Sequence, residues 1–247
     1  MPQNRAEVQR QTKKTKSVKI LADNISRLRA RVRRDMDSDD ERDVLTALAV
    51  AIMDKTGERV GNDESAKKGH YGVTGLRVQH VKVKGDKVTL AYVGKSGVEH
   101  KKDFTDSGIA LILKKLLKRR PHARQYVFVA EDGYKLKSDR VNRYLKDLGV
   151  TAKDIRGYSA NRFMLEALRK AKMPDNERER KSKFLSLLKS VAERVGHTQA
   201  TLRKDYLLPS VEDEYVRSGK VVDIKTASRE SRIAALVCRH VITCLLQ

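Results

Sequence analysis

Residues 76–104 read LRVQHVKVKGDKVTLAYVGKSGVEHKKDF, and this stretch decides the fold. Apolar and polar residues alternate along it, which is the period of a β-strand with one buried face. Gly85-Asp86 and Gly94–Gly97 interrupt the alternation with residues that favour turns. The stretch therefore predicts a three-stranded antiparallel meander.

Segments with helical spacing of apolar residues lie on both sides of the meander. Before it, one helix is predicted over Ile20–Val32, and a second follows the capping signal Ser38–Glu41 and ends at Gly57. The fold class is therefore α+β and predominantly helical, with one small sheet. After the meander, helices are predicted over residues 106–119, 138–147, 151–171, 178–195, 198–206 and 211–217.

Composition divides the chain into three parts. Residues 1–20 are polar and basic and predict a flexible arm. Residues 21–220 predict one domain, into which the sheet of about residues 76–104 is inserted. Residues 221–247 predict a linker and an amphipathic helix over Ile233–Leu246, which we expect to dock on its own domain or on a partner.

The charge of the chain points to a polyanionic partner. Lys and Arg number 54 against 32 Asp and Glu, which gives a formal net charge of +22 that is spread along the sequence. Nucleic acid fits such a distribution, and a basic structural protein is the alternative. No apolar run reaches the roughly 18 residues of a membrane span. We expect a soluble intracellular protein that associates with nucleic acid.

The two cysteines, Cys238 and Cys244, do not suggest a disulfide or a metal site. They lie six residues apart on the predicted C-terminal helix, a spacing that does not place them on one face. No Cys/His pair with zinc-site spacing accompanies them. We expect free thiols.

A histidine and a tyrosine near the end of the predicted domain form a candidate pair. Gly196-His197-Thr198 follows a predicted helix, and Tyr206 comes nine residues after His197. The glycine permits a sharp turn, so an imidazole and a phenol can face one cleft. Helix capping and core packing would also explain either residue alone.

Three upstream segments complete a pattern. They are Arg59-Val60-Gly61-Asn62, Gly94-Lys95 and Lys153-Asp154-Ile155-Arg156. Taken in order with His197 and Tyr206, the chain resembles the type IB topoisomerases of the poxvirus-like and cellular kind. The resemblance runs from about residue 51 to about residue 215, and includes Tyr71–Val81, which resembles the family's entry into its sheet.

The resemblance implies a role for each residue. Tyr206 attacks a DNA phosphodiester and forms a transient 3′-phosphotyrosyl link, so that supercoils relax before religation. Arg59, Arg156 and His197 bind the non-bridging oxygens, where charge develops in the transition state. Lys95 protonates the 5′-hydroxyl leaving group, helped by an arginine. The link conserves bond energy, so neither ATP nor a metal is expected.

Contacts to double-stranded DNA are expected from basic, aromatic and amide side chains around these residues. Phosphate contacts would position the duplex without reading its sequence, and a solvated charged face is the alternative for the lysines. The candidates are Lys67, Lys68, Tyr71, Arg77, His80, Lys82, Lys84, Lys101, Lys102, Tyr158 and Asn161.

Tyrosine recombinases are the principal alternative. Thr74-Gly75-Leu76-Arg77 resembles the motif around the first catalytic arginine of that class. On this alternative, Arg77 and not Arg59 would bind the phosphate oxygens. A strand pattern follows Arg77, however, where a recombinase arginine opens a helix. Lys153 also stands three residues before Arg156, where recombinases usually carry histidine. A third alternative is a DNA-binding module without chemistry. Tyr144 and Tyr215 follow no Gly-His turn, which disfavours them as nucleophiles.

The poxvirus-like enzymes usually carry a small β-rich clamp domain before this region. About fifty residues precede the similar region here, and they predict a basic arm and helices. We therefore expect a monomer whose clamp is absent, removed or supplied by a separate chain.

Overall fold

The computed structural model describes residues 5–229, in which helices flank one three-stranded antiparallel sheet along the chain. The predominantly helical α+β fold is confirmed. The predicted helix Ile233–Leu246 and the two cysteines in it, Cys238 and Cys244, lie outside the described residues. Within them, no helix is both long and apolar enough to cross a membrane. The helices are α1 (Arg5–Met36), α2 (Glu41–Thr56), α3 (Asp63–Lys67), α4 (Ser107–Lys118), α5 (Ser138–Leu145), α6 (Ala152–Lys170), α7 (Glu177–Val195), α8 (Gln199–Thr201) and α9 (Pro209–Ser218).

The sheet follows the predicted meander. Strands β1 (Val81–Lys84), β2 (Lys87–Val93) and β3 (Glu99–Thr105) lie side by side in chain order. Strand β1 begins at Val81 and not at Leu76, because residues 73–75 and 78–80 form 3-10 turns. There the main chain finds other partners, as the Arg77 N–H donates to His80 Nδ1 at 3.1 Å.

Helix α1 extends into the segment predicted as a flexible arm. The chain is helical from Arg5, whereas the sequence predicted a helix only from Ile20. Thr15, Val18 and Leu21 are buried, so this part of the helix packs an apolar stripe inward. Lysines lie between those positions, so the composition of this segment did not reveal the stripe.

The described residues fall into two compact units, with the division inside α1 and α6. We call Asn24–Arg156 the sheet unit; its core lies around α2, which packs against α4 and α5. Helix α2 is capped by Asp40, whose side chain accepts from the Arg42 N–H at 2.8 Å, and ends at Gly57 as predicted. Leu45–Val50 of α2 are fully buried, which supplies much of the apolar burial that stabilises this unit.

We call the remaining described residues, 5–23 and 157–229, the terminal unit. Helices α7 and α9 pack together in it, with Phe184 and Tyr215 in contact at 6.2 Å between ring centroids. Phe163 of α6 is buried, and the Arg194 guanidinium lies 3.5 Å from its ring centroid. This core supports the turn that carries Tyr206.

Candidate active site

The segment that carries Tyr206 departs from α-helical geometry. Helix α7 ends at Gly196, whose positive φ of 64° turns the chain, and the His197 N–H donates to the Ala192 carbonyl at 2.9 Å. After α8, residues Leu202–Tyr206 form a π-helical turn, closed by the Leu207 N–H donating to Leu202 O at 3.0 Å. Such turns are rare in proteins, and those that occur often lie at functional sites.

His197 and Tyr206 lie together in the terminal unit, as the sequence predicted. Their ring centroids are 4.5 Å apart and the planes are tilted by 34°. Both side chains are half-buried, so part of each ring is exposed. An imidazole and a phenol in this arrangement can contact the same small group.

Asn161 holds the main chain directly after the Tyr206 side chain. Its Nδ2 donates to Tyr206 O at 2.9 Å, and its Oδ1 accepts from the Leu208 N–H at 2.9 Å. Nδ2 also donates to Gly157 O at 2.8 Å, and the residue is fully buried. The amide that the sequence suggested for DNA is therefore used inside the protein, where it positions Tyr206.

Lys14 of α1 also contacts this turn, and the sequence did not single it out because it lay in the predicted arm. Its Nζ donates to Leu207 O at 2.6 Å and to Lys204 O at 3.1 Å. Burial lowers the pKa of this amine to about 8, although the nearby Asp205 carboxylate acts in the other direction. Two carbonyls left free by the irregular turn thereby gain a donor.

Arg156 belongs to the sheet unit and is bound to the end of α2. Its Nη1 donates to Gly57 O at 2.8 Å, and the residue is 2% exposed. Gly57 adopts the left-handed conformation, with φ 71°, that ends the helix and directs its carbonyl. The Arg156 guanidinium is therefore fixed to the residue two positions before Arg59.

Arg59 lies on a segment that packs closely against the 3-10 turn Val73–Gly75. Its carbonyl accepts from the Val73 N–H at 2.9 Å. A Cβ on Gly72 would lie 2.5 Å from Gly61 Cα, so both glycines are required for this approach. The Nη1 of Arg59 is buried and has no hydrogen-bond partner among the described residues. Such a donor suits an anionic acceptor.

Lys95 is exposed on the turn that joins β2 to β3. The Gly94 N–H donates to Val98 O at 2.7 Å and closes this turn. Gly97 follows with a φ of 73°, which favours glycine. The ammonium group stands on a short, tightly closed loop at the end of the sheet.

A buried carboxylate lies beneath that loop, and the sequence did not single it out either. Glu58 Oε1 accepts from His100 Nδ1 at 2.8 Å and lies 3.4 Å from Lys102 Nζ. Burial would raise the pKa of Glu58, but the hydrogen bond from His100 and the nearby positive charges outweigh it and hold the pKa at about 2. The carboxylate therefore stays ionised.

A protein-family model described as the catalytic core of eukaryotic DNA topoisomerase I matches residues 3–227. The chain belongs to that family. DNA topoisomerase 1B of Acanthamoeba polyphaga mimivirus is 29% identical over an alignment that covers 66% of this chain and 52% of that protein. DNA topoisomerase I of monkeypox virus and DNA topoisomerase 1B of vaccinia virus are each 25% identical, over 69% of this chain and 52% of each relative.

The chain thus spans about half the length of the curated relatives that it matches. Among solved structures, a XerH site-specific recombinase bound to palindromic difH substrate superposes with a TM-score of 0.54 at 15% identity, covering 80% of this chain and 52% of that one. Its complex with difH before cleavage gives a TM-score of 0.51. This likeness shows that the chain shares the fold of this recombinase.

The DNA-contact candidates of this topoisomerase I family member differ in exposure. Lys102 and Tyr158 are buried, and Lys102 lies beside Glu58. Tyr71 and Arg77 are half-buried, with the Arg77 guanidinium 5.7 Å from the Tyr71 ring centroid. The exposed candidates are Lys67, Lys68, Lys82, Lys84 and Lys101.

His80 is buried between aromatic neighbours. Its ring centroid lies 4.3 Å from that of Tyr71, and its Nδ1 accepts the Arg77 N–H. Burial, with a smaller effect of the Arg77 charge, lowers the pKa of His80 to about 4. The neutral imidazole therefore supports the entry into the sheet.

Proposed function

We propose that this chain is a type IB DNA topoisomerase that relaxes supercoiled DNA through a 3′-phosphotyrosyl intermediate on Tyr206. The observation that carries the proposal is the half-exposed Tyr206 ring, 4.5 Å from His197, on a π-helical turn that Asn161 holds. Membership of the topoisomerase I catalytic-core family supports the same conclusion.

In the cleavage step, Tyr206 Oη forms a bond to phosphorus and releases its proton to solvent. The bond from phosphorus to O5′ breaks, and its electron pair leaves on O5′, which takes a proton from the Lys95 ammonium. Religation is the reverse reaction, in which the 5′-hydroxyl attacks and Tyr206 leaves. Bond energy is kept in the protein–DNA link, so the cycle requires neither ATP nor a metal ion.

Cationic donors offset the charge that develops on the phosphoryl oxygens. We assign this role to Arg59 and Arg156, since each guanidinium presents a planar set of donors and remains charged. The buried, unbonded Nη1 of Arg59 supports its assignment. His197 adds a hydrogen bond to a non-bridging oxygen.

Under a recombinase mechanism, Arg77 would replace Arg59 as the arginine that binds the phosphoryl oxygens. Its Nη1 donates to Arg124 O at 3.2 Å, and its guanidinium lies 5.0 Å from the Tyr126 ring centroid. Arg59, by contrast, lies two residues after Gly57, whose carbonyl accepts from Arg156. This favours Arg59, and with it a topoisomerase.

The test is relaxation of supercoiled plasmid in EDTA without ATP by the wild type, Tyr206→Phe and Tyr144→Phe. Tyr144 is a matched control because its buried hydroxyl donates to Asp35 Oδ2 at 2.8 Å. Wild type and Tyr144→Phe should give a ladder of relaxed forms and, after denaturant quenching, protein trapped on the 3′ end of the nick. Tyr206→Phe should give neither.

Activity in Tyr206→Phe, or a strict need for ATP or magnesium, would contradict the proposal. A recombinase would instead cleave only its own site and exchange strands between two duplexes. Label transfer from 3′-end-labelled and 5′-end-labelled duplexes shows whether the protein is linked to the 3′ or to the 5′ end of the nick. Plasmids of unrelated sequence separate the two enzyme classes.

A further inference from the structure

We propose that Glu58 is a positioning residue for Lys95, acting through His100 to fix the turn that carries the general acid. The inference rests on the proposed function, since it assigns a purpose to a buried cluster beside that site. The cluster consists of Glu58, Tyr92, His100 and Lys102, all in the sheet unit.

Glu58 brings a full negative charge into the interior. Its side chain and that of His100 are each 1% exposed, and that of Lys102 is 9% exposed. Desolvating such charges carries a large free-energy penalty, so a buried charged cluster contributes little net stability by itself. The cluster instead favours one fixed arrangement of its side chains, because displacing any one of them leaves a buried charge uncompensated.

His100 transmits this arrangement to the Lys95 turn. It pairs with Tyr92 across β2 and β3, and the two rings stack at 5.1 Å with a 10° angle between planes. On its other side the ring reaches Gly94, where an added Cβ would lie 2.5 Å from His100 Nε2. The residue before Lys95 therefore rests directly on the imidazole that Glu58 holds.

The same short segment also orders the two arginines. The Gly57 carbonyl accepts from Arg156, and Arg59 follows Glu58 directly in sequence. Gly57-Glu58-Arg59 thus connects the three cationic residues proposed for the sheet unit. The Gly57 carbonyl binds Arg156, the Glu58 carboxylate acts on the Lys95 turn through His100, and Arg59 is itself the third residue of the segment. A small shift of Glu58 is expected to move Lys95 away from the leaving oxygen.

The experiment compares two DNA substrates that differ only in the leaving atom. One carries the ordinary 5′ oxygen at the cleavage site, and the other a bridging 5′ sulfur. A thiolate is a far better leaving group than an alkoxide, so the sulfur substrate needs no general acid. Single-turnover cleavage is measured for wild type, Lys95→Ala as reference, Glu58→Gln, and Glu99→Gln as a matched control on the exposed part of β3.

Glu58→Gln should slow cleavage of the oxygen substrate by roughly 10- to 100-fold, while the sulfur substrate slows by less than about 3-fold, as expected when only general-acid positioning is lost. Lys95→Ala should show the same pattern with a larger oxygen defect, and Glu99→Gln should match the wild type. Equal slowing of both substrates by Glu58→Gln would overturn the proposal, because a general structural role affects both. Wild-type rates would overturn it too.

His100→Asn decides the matter if Glu58→Gln does not fold, as judged by circular dichroism. Asparagine retains a donor near the Nδ1 position but removes the ring that contacts Gly94. The proposal predicts a selective oxygen defect, and equal defects on both substrates would overturn it. If the wild type cleaves neither substrate, the proposed function itself fails, and the assignment of Glu58 falls with it.

Discussion

The side-chain amide of Asn161 donates to the carbonyl of Tyr206, at 2.9 Å, and accepts the Leu208 N–H with its oxygen. Asn161→Ala removes both bonds and releases the π-helical turn. A nucleophile displaced by about 1 Å costs roughly 100-fold in rate, so single-turnover cleavage should slow by about that factor. DNA binding at equilibrium should be unchanged.

The control is Asn176→Ala, which removes the N-cap of α7 at an exposed site. It should cost about 1 kcal/mol of stability and leave the cleavage rate as it is. Loss of DNA affinity in Asn161→Ala without slower cleavage would support a direct DNA contact and contradict the positioning role.

His80 should make the stability of the protein depend on pH. Its pKa is about 4 in the folded state against 6.5 for an ordinary histidine, chiefly because of burial. The unfolded chain binds the proton more tightly, so the contribution is complete above pH 6.5 and is lost as the pH falls towards 4. Urea unfolding at several pH values should show a steeper decline for the wild type than for His80→Asn, which retains an acceptor but does not titrate. Parallel curves would contradict this assignment.

Two adjacent lysines of β3 should affect DNA binding differently. Lys101 is exposed, whereas Lys102 is buried near Glu58. If Lys101 contacts a phosphate, Lys101→Ala should reduce the slope of log affinity against log salt by about 0.9. Lys102→Ala should leave that slope unchanged and lower the free energy of unfolding by roughly 3 kcal/mol, because it breaks a buried ion pair. The reverse pattern would show that Lys102 reaches DNA.

Replacing either of two buried tyrosines by phenylalanine should affect stability in different ways. Tyr144→Phe removes the hydroxyl that donates to Asp35 and should cost about 1–2 kcal/mol. The Tyr215 hydroxyl is buried without a hydrogen-bond partner among the described residues, so Tyr215→Phe should be neutral or stabilising. Chemical denaturation measures both, and a larger loss for Tyr215→Phe would reveal a partner for its hydroxyl. Both variants should retain relaxation activity.

The sequence predicted the meander and the ends of α4, α6 and α7 closely, because these depend on local patterns, but it missed the N-terminal part of α1, from Arg5 up to Ile20. Alternation and turn residues specified the strands, and Gly57 marked the end of α2 as observed. The pairing of His197 with Tyr206 was also predictable, since a glycine turn and nine residues of chain determine it.

Contacts between distant parts of the chain were not predictable in this way. Lys14 and Leu207 are separated by 193 residues, and Glu58 and His100 by 42. No local pattern distinguishes a lysine that binds a main-chain carbonyl from one that is solvated. The only sign of Glu58 was an acidic residue directly before a proposed catalytic arginine in a chain of net charge +22.

The buried cluster also limits how this protein can be altered. An apolar residue at position 58 would leave His100 Nδ1 without its hydrogen-bond partner and the Lys102 ammonium without a nearby carboxylate, while an apolar residue at position 100 or 102 would remove a partner of Glu58. Positions 58, 100 and 102 therefore depend on one another, and a designer who grafts the Lys95 loop onto another scaffold has to transfer all three together.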